Sequence, residues 1–163
     1  MTEQRGFVDV VREHDRRLRA LAYRMLGDRD RMDDVLQDAY TSAFRSYERF
    51  RGESGAGTWL YRIVYNACLD DLRRRRPDPV RLEETDEVTA DHADTAAHRA
   101  DLASALASLR PEHRAAVLLV DADGFTYAEA ARICDVQEGT IASRLSEARR
   151  ALRRALSTRG DGR

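Results

Sequence analysis

The hydrophobic residues between Tyr127 and Leu156 repeat at helical spacing and predict two helices joined by a short turn. In the second helix, an advance of about 100° per residue gathers the apolar positions on one narrow stripe. The members of this stripe are Ile141, Leu145, Ala148, Leu152 and Leu156. Small hydroxyls and arginines fall on the opposite face, which is typical of a helix lying in a DNA major groove. We therefore predict a helix-turn-helix that binds double-stranded DNA.

The N-terminal half shows the same spacing and predicts three further amphipathic helices. The first ends at Gly27-Asp28, and a glycine-rich loop, residues 51–57, follows the second. Thr58 is predicted to cap the third. The predicted inner stripe of the second helix comprises Val35, Leu36, Ala39, Ala43, Phe44 and Tyr47. With no strand pattern, the fold class is all-α, in two small helical domains.

The predicted outer face of the third helix combines aromatic, amide and cationic side chains. Its members are Trp59, Arg62, Tyr65, Asn66, Leu69 and Arg73, followed by three more arginines. Exposed rings beside arginines are typical of surfaces that hold unstacked bases and their phosphates. Two structural alternatives stay open: Trp59 belongs to the core, and the terminal arginines only complement the helix dipole.

Charge divides the chain into three segments. Residues 1–77 hold 16 arginines against 13 acidic residues, residues 78–97 hold one against seven, and residues 98–163 hold 11 against nine. The middle segment opens with prolines and has few apolar residues, so it is predicted to be a flexible acidic linker between two domains. The linker is either a solvated spacer or an acidic strand that threads a basic nucleic-acid channel.

The composition and the motifs of the chain argue against several classes of protein. No apolar run approaches the roughly 20 residues of a membrane-spanning helix, and the N-terminus carries no signal segment, so we expect a cytoplasmic protein. Cys68 and Cys134 stand alone in helical patterns and are expected to be buried thiols. We find no phosphate loop, no triad and no metal cluster, and therefore expect neither a cofactor nor a metal, and not an enzyme.

Two blocks of sequence resemble the extracytoplasmic-function (ECF) sigma factors of the sigma-70 family. The segment YERFRGESGAGTWLYRIVYNACLDDLRRRR, residues 47–76, preceded by DDVLQDAY at 33–40, is similar to region 2 of that family. Residues 105–156 are similar to region 4, including the helix-turn-helix with its GT-x-x-SR signature. The resemblance implies an alternative sigma factor that binds core RNA polymerase and directs promoter-specific initiation. Regulation by an anti-sigma protein is common in the family.

The resemblance assigns three sets of contact residues. The polymerase set is Asp34, Gln37 and Asp38, on the second predicted helix. The set expected at the single-stranded minus-10 element is Phe50, Arg51, Ser54, Trp59, Arg62, Asn66 and Arg73. The set expected at the duplex minus-35 element is Thr140, Ser143, Arg144, Ser146, Glu147, Arg149 and Arg150, with Thr140 also expected to cap the helix. Trp59 is expected to wedge at the duplex fork.

The sequence departs from the family at both DNA-binding segments. The capture loop Ser54–Gly57 lacks bulky residues, and Glu147 stands where relatives commonly carry a basic residue. A glutamate in the groove accepts hydrogen bonds from cytosine, so we expect Glu147 to help read the minus-35 element. The alternative is an ion pair with Arg144 or Arg150, three residues away.

Two other functions stay open on the sequence alone. A one-component helix-turn-helix regulator would use residues 105–156 but would leave the aromatic third helix unexplained. An adaptor that binds polymerase without opening DNA would be compatible with the weakened capture loop. Association with core polymerase separates the first alternative from a sigma factor, and promoter opening separates the second.

Overall fold

The computed structural model describes residues 6–50, 52, 55–75 and 93–160. These residues form α-helices joined by short turns, and none of them lies in a β-strand. The helices are α1 (Phe7–Leu26), α2 (Arg29–Ser46), α3 (Ala56–Arg74), α4 (Ala93–Ser108), α5 (Pro111–Val117), α6 (Tyr127–Cys134) and α7 (Glu138–Gly160). A 3₁₀ turn (Tyr47–Arg49) follows α2 and a π turn (Leu118–Ala122) extends α5. The all-α prediction is confirmed.

Helices α1 to α3 form the N-terminal domain, and residues 27–28 set the angle between the first two. Gly27 ends α1 at φ 70°, a conformation that glycine adopts without strain, and its N–H donates to the Tyr23 carbonyl at 2.7 Å. Asp28 then begins α2, because its carboxylate accepts from the Arg31 N–H at 3.0 Å. The domain core is fully apolar and includes Leu18, Met25, Leu36, Leu60 and Val64.

A half-buried ion pair joins α2 to α3. The Arg31 Nε donates to Asp71 Oδ2 at 2.9 Å, and a second guanidinium nitrogen contacts the same oxygen. The two side chains are only 18% and 13% exposed. Because both charges have lost most of their water, Arg31 depends on Asp71 for compensation, while Asp71 also lies 3.5 Å from the Arg75 Nε.

Helices α4 to α7 form the C-terminal domain, which contains the predicted helix-turn-helix. Thr126 and Glu129 close a capping box at the start of α6, with hydrogen bonds of 2.8 and 3.1 Å. Asp135 ends α6 in the left-handed conformation, at φ 55° and ψ 50°. Aspartate tolerates this conformation better than most residues, so the turn forms without glycine. The two helices predicted between Tyr127 and Leu156 are confirmed.

Buried Arg114 holds the C-terminal domain together. It lies on α5 at 7% exposure, and its guanidinium donates to the carbonyls of Leu106, Ala107 and Leu109 at 2.8, 3.0 and 3.1 Å. It also donates to the Met25 carbonyl in the N-terminal domain. Burial lowers the pKa of this guanidinium, and the carbonyl oxygens supply the partners that water would otherwise provide.

The two domains pack on each other through a second buried face of α3. Its inner face holds Leu60 and Val64, whereas Tyr61 and Tyr65, 0% and 2% exposed, turn toward the C-terminal domain. Cys68 and Cys134 are free and buried, as predicted. Burial raises their pKa values, to about 12 and about 11, which keeps both thiols protonated.

Several assignments of face and cap made from the sequence are wrong. Tyr65 and Leu69 were placed on an exposed face, but both are buried because α3 packs on two sides. Phe44 was placed inside, but it is 65% exposed because it lies at the edge of α2. Thr58 does not cap α3, which begins at Ala56 after Gly55.

Helix α7 also differs from the sequence prediction at both of its ends. It begins at Glu138, so Thr140 lies within its first turn rather than at the cap. Toward its other end, Leu152 is half-buried and Leu156 is 40% exposed, because α7 runs beyond the helices that cover its apolar stripe. The apolar stripe is therefore core only from Ile141 to Ala148.

The predicted linker, residues 78–97, is covered only in part by the structure. Helix α4 begins at Ala93, within that segment, and the alanine-rich run there accounts for the helix because alanine has the highest helix propensity. Residues 78–92 lie outside the described residues, as do Arg51 and Ser54 of the predicted minus-10 set. No helix among the described residues is long and apolar enough to cross a membrane.

Removing the partner of Arg31 tests the α2–α3 ion pair. We expect Asp71→Asn to lower the free energy of unfolding by about 1–3 kcal/mol, because a half-buried guanidinium loses its compensating charge. Urea titration followed by circular dichroism measures the change. The control is Asp33→Asn, which breaks the exposed pair with Arg19 and should cost about 0.5 kcal/mol or less. Equal effects of the two variants would contradict the account.

Candidate polymerase and nucleic-acid interfaces

The outer surface of α2 presents the predicted polymerase set to solvent. Asp34, Gln37 and Asp38 are all exposed, while Val35 and Leu36 between them point into the core. Beside Gln37 lies an open groove of about 540 Å³, whose lining is Arg19, Asp33, Leu36, Gln37, Tyr40, Thr41 and Phe44. A polar rim around an apolar floor is the usual composition of a protein-binding surface.

Phe44 extends this surface and was missed by the sequence analysis. Its ring is 65% exposed and makes an edge-on contact with the Phe7 ring, with 5.4 Å between centroids. An exposed phenylalanine next to a groove is the kind of side chain that contributes most to binding a partner. The spacing of apolar residues could not reveal it, because Phe44 falls next to Ala43 on the edge of the inner stripe.

The N-terminal end of α3 carries an aromatic cluster formed by Tyr47, Phe50 and Trp59. Trp59 is half-buried, and its ring lies 4.8 Å from that of Phe50 at 30° and 5.9 Å from that of Tyr47. Two predicted minus-10 residues, Phe50 and Trp59, are thus brought together. The exposed base platform predicted from the sequence is wrong in part, since one face of Trp59 is already covered.

The rest of the predicted minus-10 set divides into two groups. Asn66 and Arg73 are exposed along α3. Arg62 is 48% exposed but forms an ion pair with Asp135 in the turn of the helix-turn-helix, at 3.5 Å. This interdomain contact links a predicted minus-10 residue to the predicted minus-35 domain.

The outer face of α7 presents most of the predicted minus-35 set. Ser143, Ser146 and Arg150 are exposed, and Ser143 Oγ donates to the Thr140 carbonyl at 3.1 Å. Arg144 is half-buried on α7; burial raises the pKa of the Tyr65 phenol, and the charge of Arg144 offsets a small part of that rise. Small hydroxyls and one free arginine therefore form the centre of the exposed face.

Glu147 has a partner that the sequence analysis did not consider. Its Oε2 lies 2.7 Å from His113 Nε2 on α5, whereas neither Arg144 nor Arg150 forms an ion pair with it. The His113 side chain is 17% exposed, and its Nδ1 is buried without a hydrogen-bond partner. The contact fixes the carboxylate of Glu147 at one edge of the α7 face, and Glu147 itself remains 63% exposed.

Arg149 is also held by a residue from another element. Asp121, in the π turn, accepts two hydrogen bonds from its guanidinium, at 2.6 and 2.9 Å. This bidentate contact raises the pKa of Arg149 above its ordinary value. The pairing neutralises most of the charge that a phosphate contact would use.

Both domains match models of known protein families. A model of sigma-70 region 2 matches residues 10–77, and a model of sigma-70 region 4 matches residues 99–152. The first covers α1 to α3 and the second covers the helix-turn-helix. The N-terminal match contradicts the alternative of a one-component regulator, which offers no reason for a region 2 domain.

Comparison with individual relatives identifies the group of sigma-70 proteins to which the chain belongs. The ECF RNA polymerase sigma factor SigM of Mycobacterium tuberculosis is 40% identical over 151 residues, which are 93% of this chain and 77% of that relative. SigE of Mycolicibacterium smegmatis is 37% identical over 155 residues, 89% of this chain and 59% of the relative. The chain belongs to the ECF sigma factors of the sigma-70 family. Proteins of this family are transcription initiation factors that bind core polymerase and promoter DNA.

Solved structures share the arrangement of both domains. The sigma factor RpoE in complex with the anti-sigma factor NepR, from Bartonella quintana, superposes with a TM-score of 0.72 and is 28% identical. The alignment covers 91% of this chain and 97% of that chain. CnrH in complex with the cytosolic domain of CnrY gives a TM-score of 0.74 at 25% identity, over 96% and 91% of the two chains.

Proposed function

We propose that the three surfaces described above divide the work of transcription initiation. The α2 surface binds core RNA polymerase, the aromatic end of α3 captures the minus-10 element, and the outer face of α7 reads the minus-35 element. The observation that carries this proposal is the separation of the surfaces. Each lies on a different helix and faces solvent at least in part, so one chain has room for polymerase and two DNA elements.

Polymerase binding rests on the exposed polar set and on Phe44. Gln37 and Phe44 line the groove, and Asp34 and Asp38 are exposed on the same helix and add hydrogen-bond acceptors to this surface. Acidic side chains at the rim favour a basic partner surface and speed its approach. The function places the protein where RNA polymerase acts, in the cytoplasm.

Promoter opening rests on the Phe50–Trp59 stack. Unstacking a base step costs a few kcal/mol, and stacking on an aromatic ring returns about 1–3 kcal/mol per base. The contacts with Phe50 and Tyr47 fix the orientation of the Trp59 ring, and we propose that its exposed part meets the base at the fork. Asn66 and Arg73 are placed along the same helix to contact the separated strand and its phosphates. Arg51 and Ser54 complete the proposed set.

Minus-35 recognition rests on the hydroxyl-rich face of α7. Ser143, Ser146 and Arg150 are aimed outward, and Glu147 is held beside them by His113. In this arrangement Glu147 accepts a hydrogen bond from cytosine N4, while His113 limits its rotation. Thr140 and Arg144 then contribute positioning contacts to the DNA backbone, and Arg149 joins them only when its pair with Asp121 is broken.

An anti-sigma factor is a further proposed partner. One solved relative is a sigma factor in complex with an anti-sigma factor, and its sigma chain aligns with 91% of this chain. In another, CnrH is bound to the cytosolic domain of CnrY and aligns with 96% of this chain. This similarity supports the proposal that a regulatory protein binds this chain in the same domain arrangement.

Removing Phe44 tests the polymerase surface. We expect Phe44→Ala to weaken binding to purified core polymerase about tenfold, because an exposed aromatic anchor in an interface is worth more than about 1 kcal/mol. Folding should be unaffected, since the ring is mainly in solvent. Titration calorimetry measures the affinity. Arg29→Ala, an exposed residue at the start of the same helix, is the control; equal loss in both variants would exclude a specific role for Phe44.

Removing Trp59 tests promoter opening. We expect Trp59→Ala to lower permanganate-detected opening about tenfold or more while leaving affinity for polymerase unchanged. Trp59→Phe keeps a ring next to Phe50 and should restore part of the opening. Loss of both opening and polymerase binding would instead assign Trp59 to the core of the domain.

Changing Glu147 tests minus-35 reading. We expect Glu147→Gln to shift the base preference at one minus-35 position by about fivefold to 150-fold, because a good base contact carries about 1–3 kcal/mol of discrimination. Selection from a randomised promoter library measures the preference. His113→Gln should cause a smaller shift at that same position, since the carboxylate remains but loses its support. An unchanged base preference at every minus-35 position would contradict the proposed role of Glu147 in recognising this element.

A further inference from the structure

An open cavity of about 530 Å³ lies between α5 and α7, beside the face proposed to read the minus-35 element. Its lining is Arg110, Pro111, Glu112, His113 and Arg144. Arg110 directly precedes α5 and Arg144 lies on α7, so two separate elements each bring a guanidinium to the same cavity. Among these lining residues, Glu112 is the one carboxylate, and the cavity therefore carries an excess of positive charge.

The charge of Arg144 lacks an anionic partner in the part of the chain that the structure describes. No ion pair within 4 Å joins Arg110 or Arg144 to Glu112 or to another described residue. The Arg144 charge acts on the Tyr65 phenol and the Cys134 thiol, but burial raises the pKa of both groups, so both stay neutral. Because Arg144 is half-buried, water compensates its charge only in part. An anion in the cavity supplies the missing compensation.

His113 connects the cavity with the proposed minus-35 face. Its side chain lines the cavity, and its Nε2 lies 2.7 Å from Glu147 Oε2. Ser143 and Ser146 are exposed on the same helix as Glu147. A helix in the major groove lies between two rows of backbone phosphates, which side chains at the edge of the helix contact. The cavity thus lies at an edge of α7 where a phosphate is expected when this helix occupies the groove.

We propose that Arg110 and Arg144 together bind one backbone phosphate of the minus-35 element. The inference rests on the proposed function and deepens it, because Arg110 belongs to neither of the predicted DNA-binding sets. Two guanidiniums donate to the phosphate oxygens from two elements, and this contact fixes how α7 lies in the groove. Arg110 is then a positioning residue, which strengthens binding to every minus-35 sequence and reads no base.

Removal of single phosphate charges tests the proposed contact. Promoter fragments carry, one at a time, an uncharged methylphosphonate in place of a minus-35 phosphate, and their affinity for holoenzyme reconstituted from core polymerase and this chain is measured. We expect one such replacement to weaken binding of the unaltered chain about fivefold to tenfold. With Arg110→Ala, the same replacement should cost less than about twofold, since the contact is already lost.

Arg99→Ala is the matched control for this experiment. It removes the same charge from an exposed position on α4 that does not line the cavity, so it should keep the full sensitivity to the methylphosphonate. Arg110→Lys keeps the charge but loses the planar guanidinium and should retain part of the sensitivity. We expect these Arg110 variants to fold, because the side chain is exposed and it is the backbone carbonyl that accepts from the Arg114 N–H, at 2.9 Å.

Salt dependence and base preference separate a phosphate contact from a structural effect. With Arg110→Ala, the slope of log affinity against log salt concentration should fall by about 1 relative to Arg99→Ala. Selection from a randomised promoter library should return the unaltered base preference at every minus-35 position for Arg110→Ala. A changed preference would contradict the positioning role.

Three further outcomes would count against the account, and they are distinguishable. Equal sensitivity of the unaltered chain and Arg110→Ala to every methylphosphonate would overturn this inference alone. So would Arg110-dependent binding of inorganic phosphate to the free chain, measured by calorimetry, together with no sensitivity to any minus-35 methylphosphonate, since free phosphate would then be the ligand. A holoenzyme that binds the promoter no better than a fragment with a scrambled minus-35 element would overturn the proposed function.

Discussion

The burial of α3 on two sides is the constraint on which the rest of the structure depends. Leu60 and Val64 pack into the N-terminal domain, and Tyr61 and Tyr65 pack against the C-terminal domain. Only the strip that carries Asn66 and the ends of the helix are left for DNA. One helix therefore supports the fold, joins the domains and carries the proposed strand-capturing residues. A substitution on α3 that alters one of these roles is expected to alter the others.

Ion pairs within the protein reduce the positive charge that each domain has available for binding DNA. Arg62 is paired with Asp135, and Arg149 with Asp121, although both arginines belong to the proposed DNA-binding sets. An arginine that already has a carboxylate partner gains less from a phosphate, because the existing pair has to be broken first. With a net charge of −1, the free chain has little general attraction for nucleic acid. Binding then depends on contacts that polymerase and promoter supply together.

Local features of the fold could be predicted from the sequence because each depends on neighbouring residues. Gly27 as a helix end, Asp135 as a left-handed turn and the core stripe from Ile141 to Ala148 all follow from backbone preference and helical spacing. The resemblance to two family blocks assigned contact residues to α2, α3 and α7, and these assignments stay predictions. The structure places the rings of two residues of the predicted minus-10 set, Phe50 and Trp59, 4.8 Å apart.

Features that depend on a second element could not be predicted in this way. Helical spacing divides a helix into one inner and one outer face, so it placed Tyr65 outside although another domain covers it. It gave Glu147 partners on its own helix, whereas the structure supplies His113 from α5, 34 positions away in the sequence. The exposure of Phe44 was likewise missed, because it depends on how the edge of α2 packs against its neighbours.

The account as a whole is tested most directly by reconstituted transcription. Purified core polymerase is supplied with a library of promoter fragments, with and without this chain, and the RNA products are sequenced. The account predicts new start sites only when the chain is present, from fragments that share preferred bases at both a minus-10 and a minus-35 element. Identical start sites with and without the chain would contradict it, as would selected fragments with a preference at only one element.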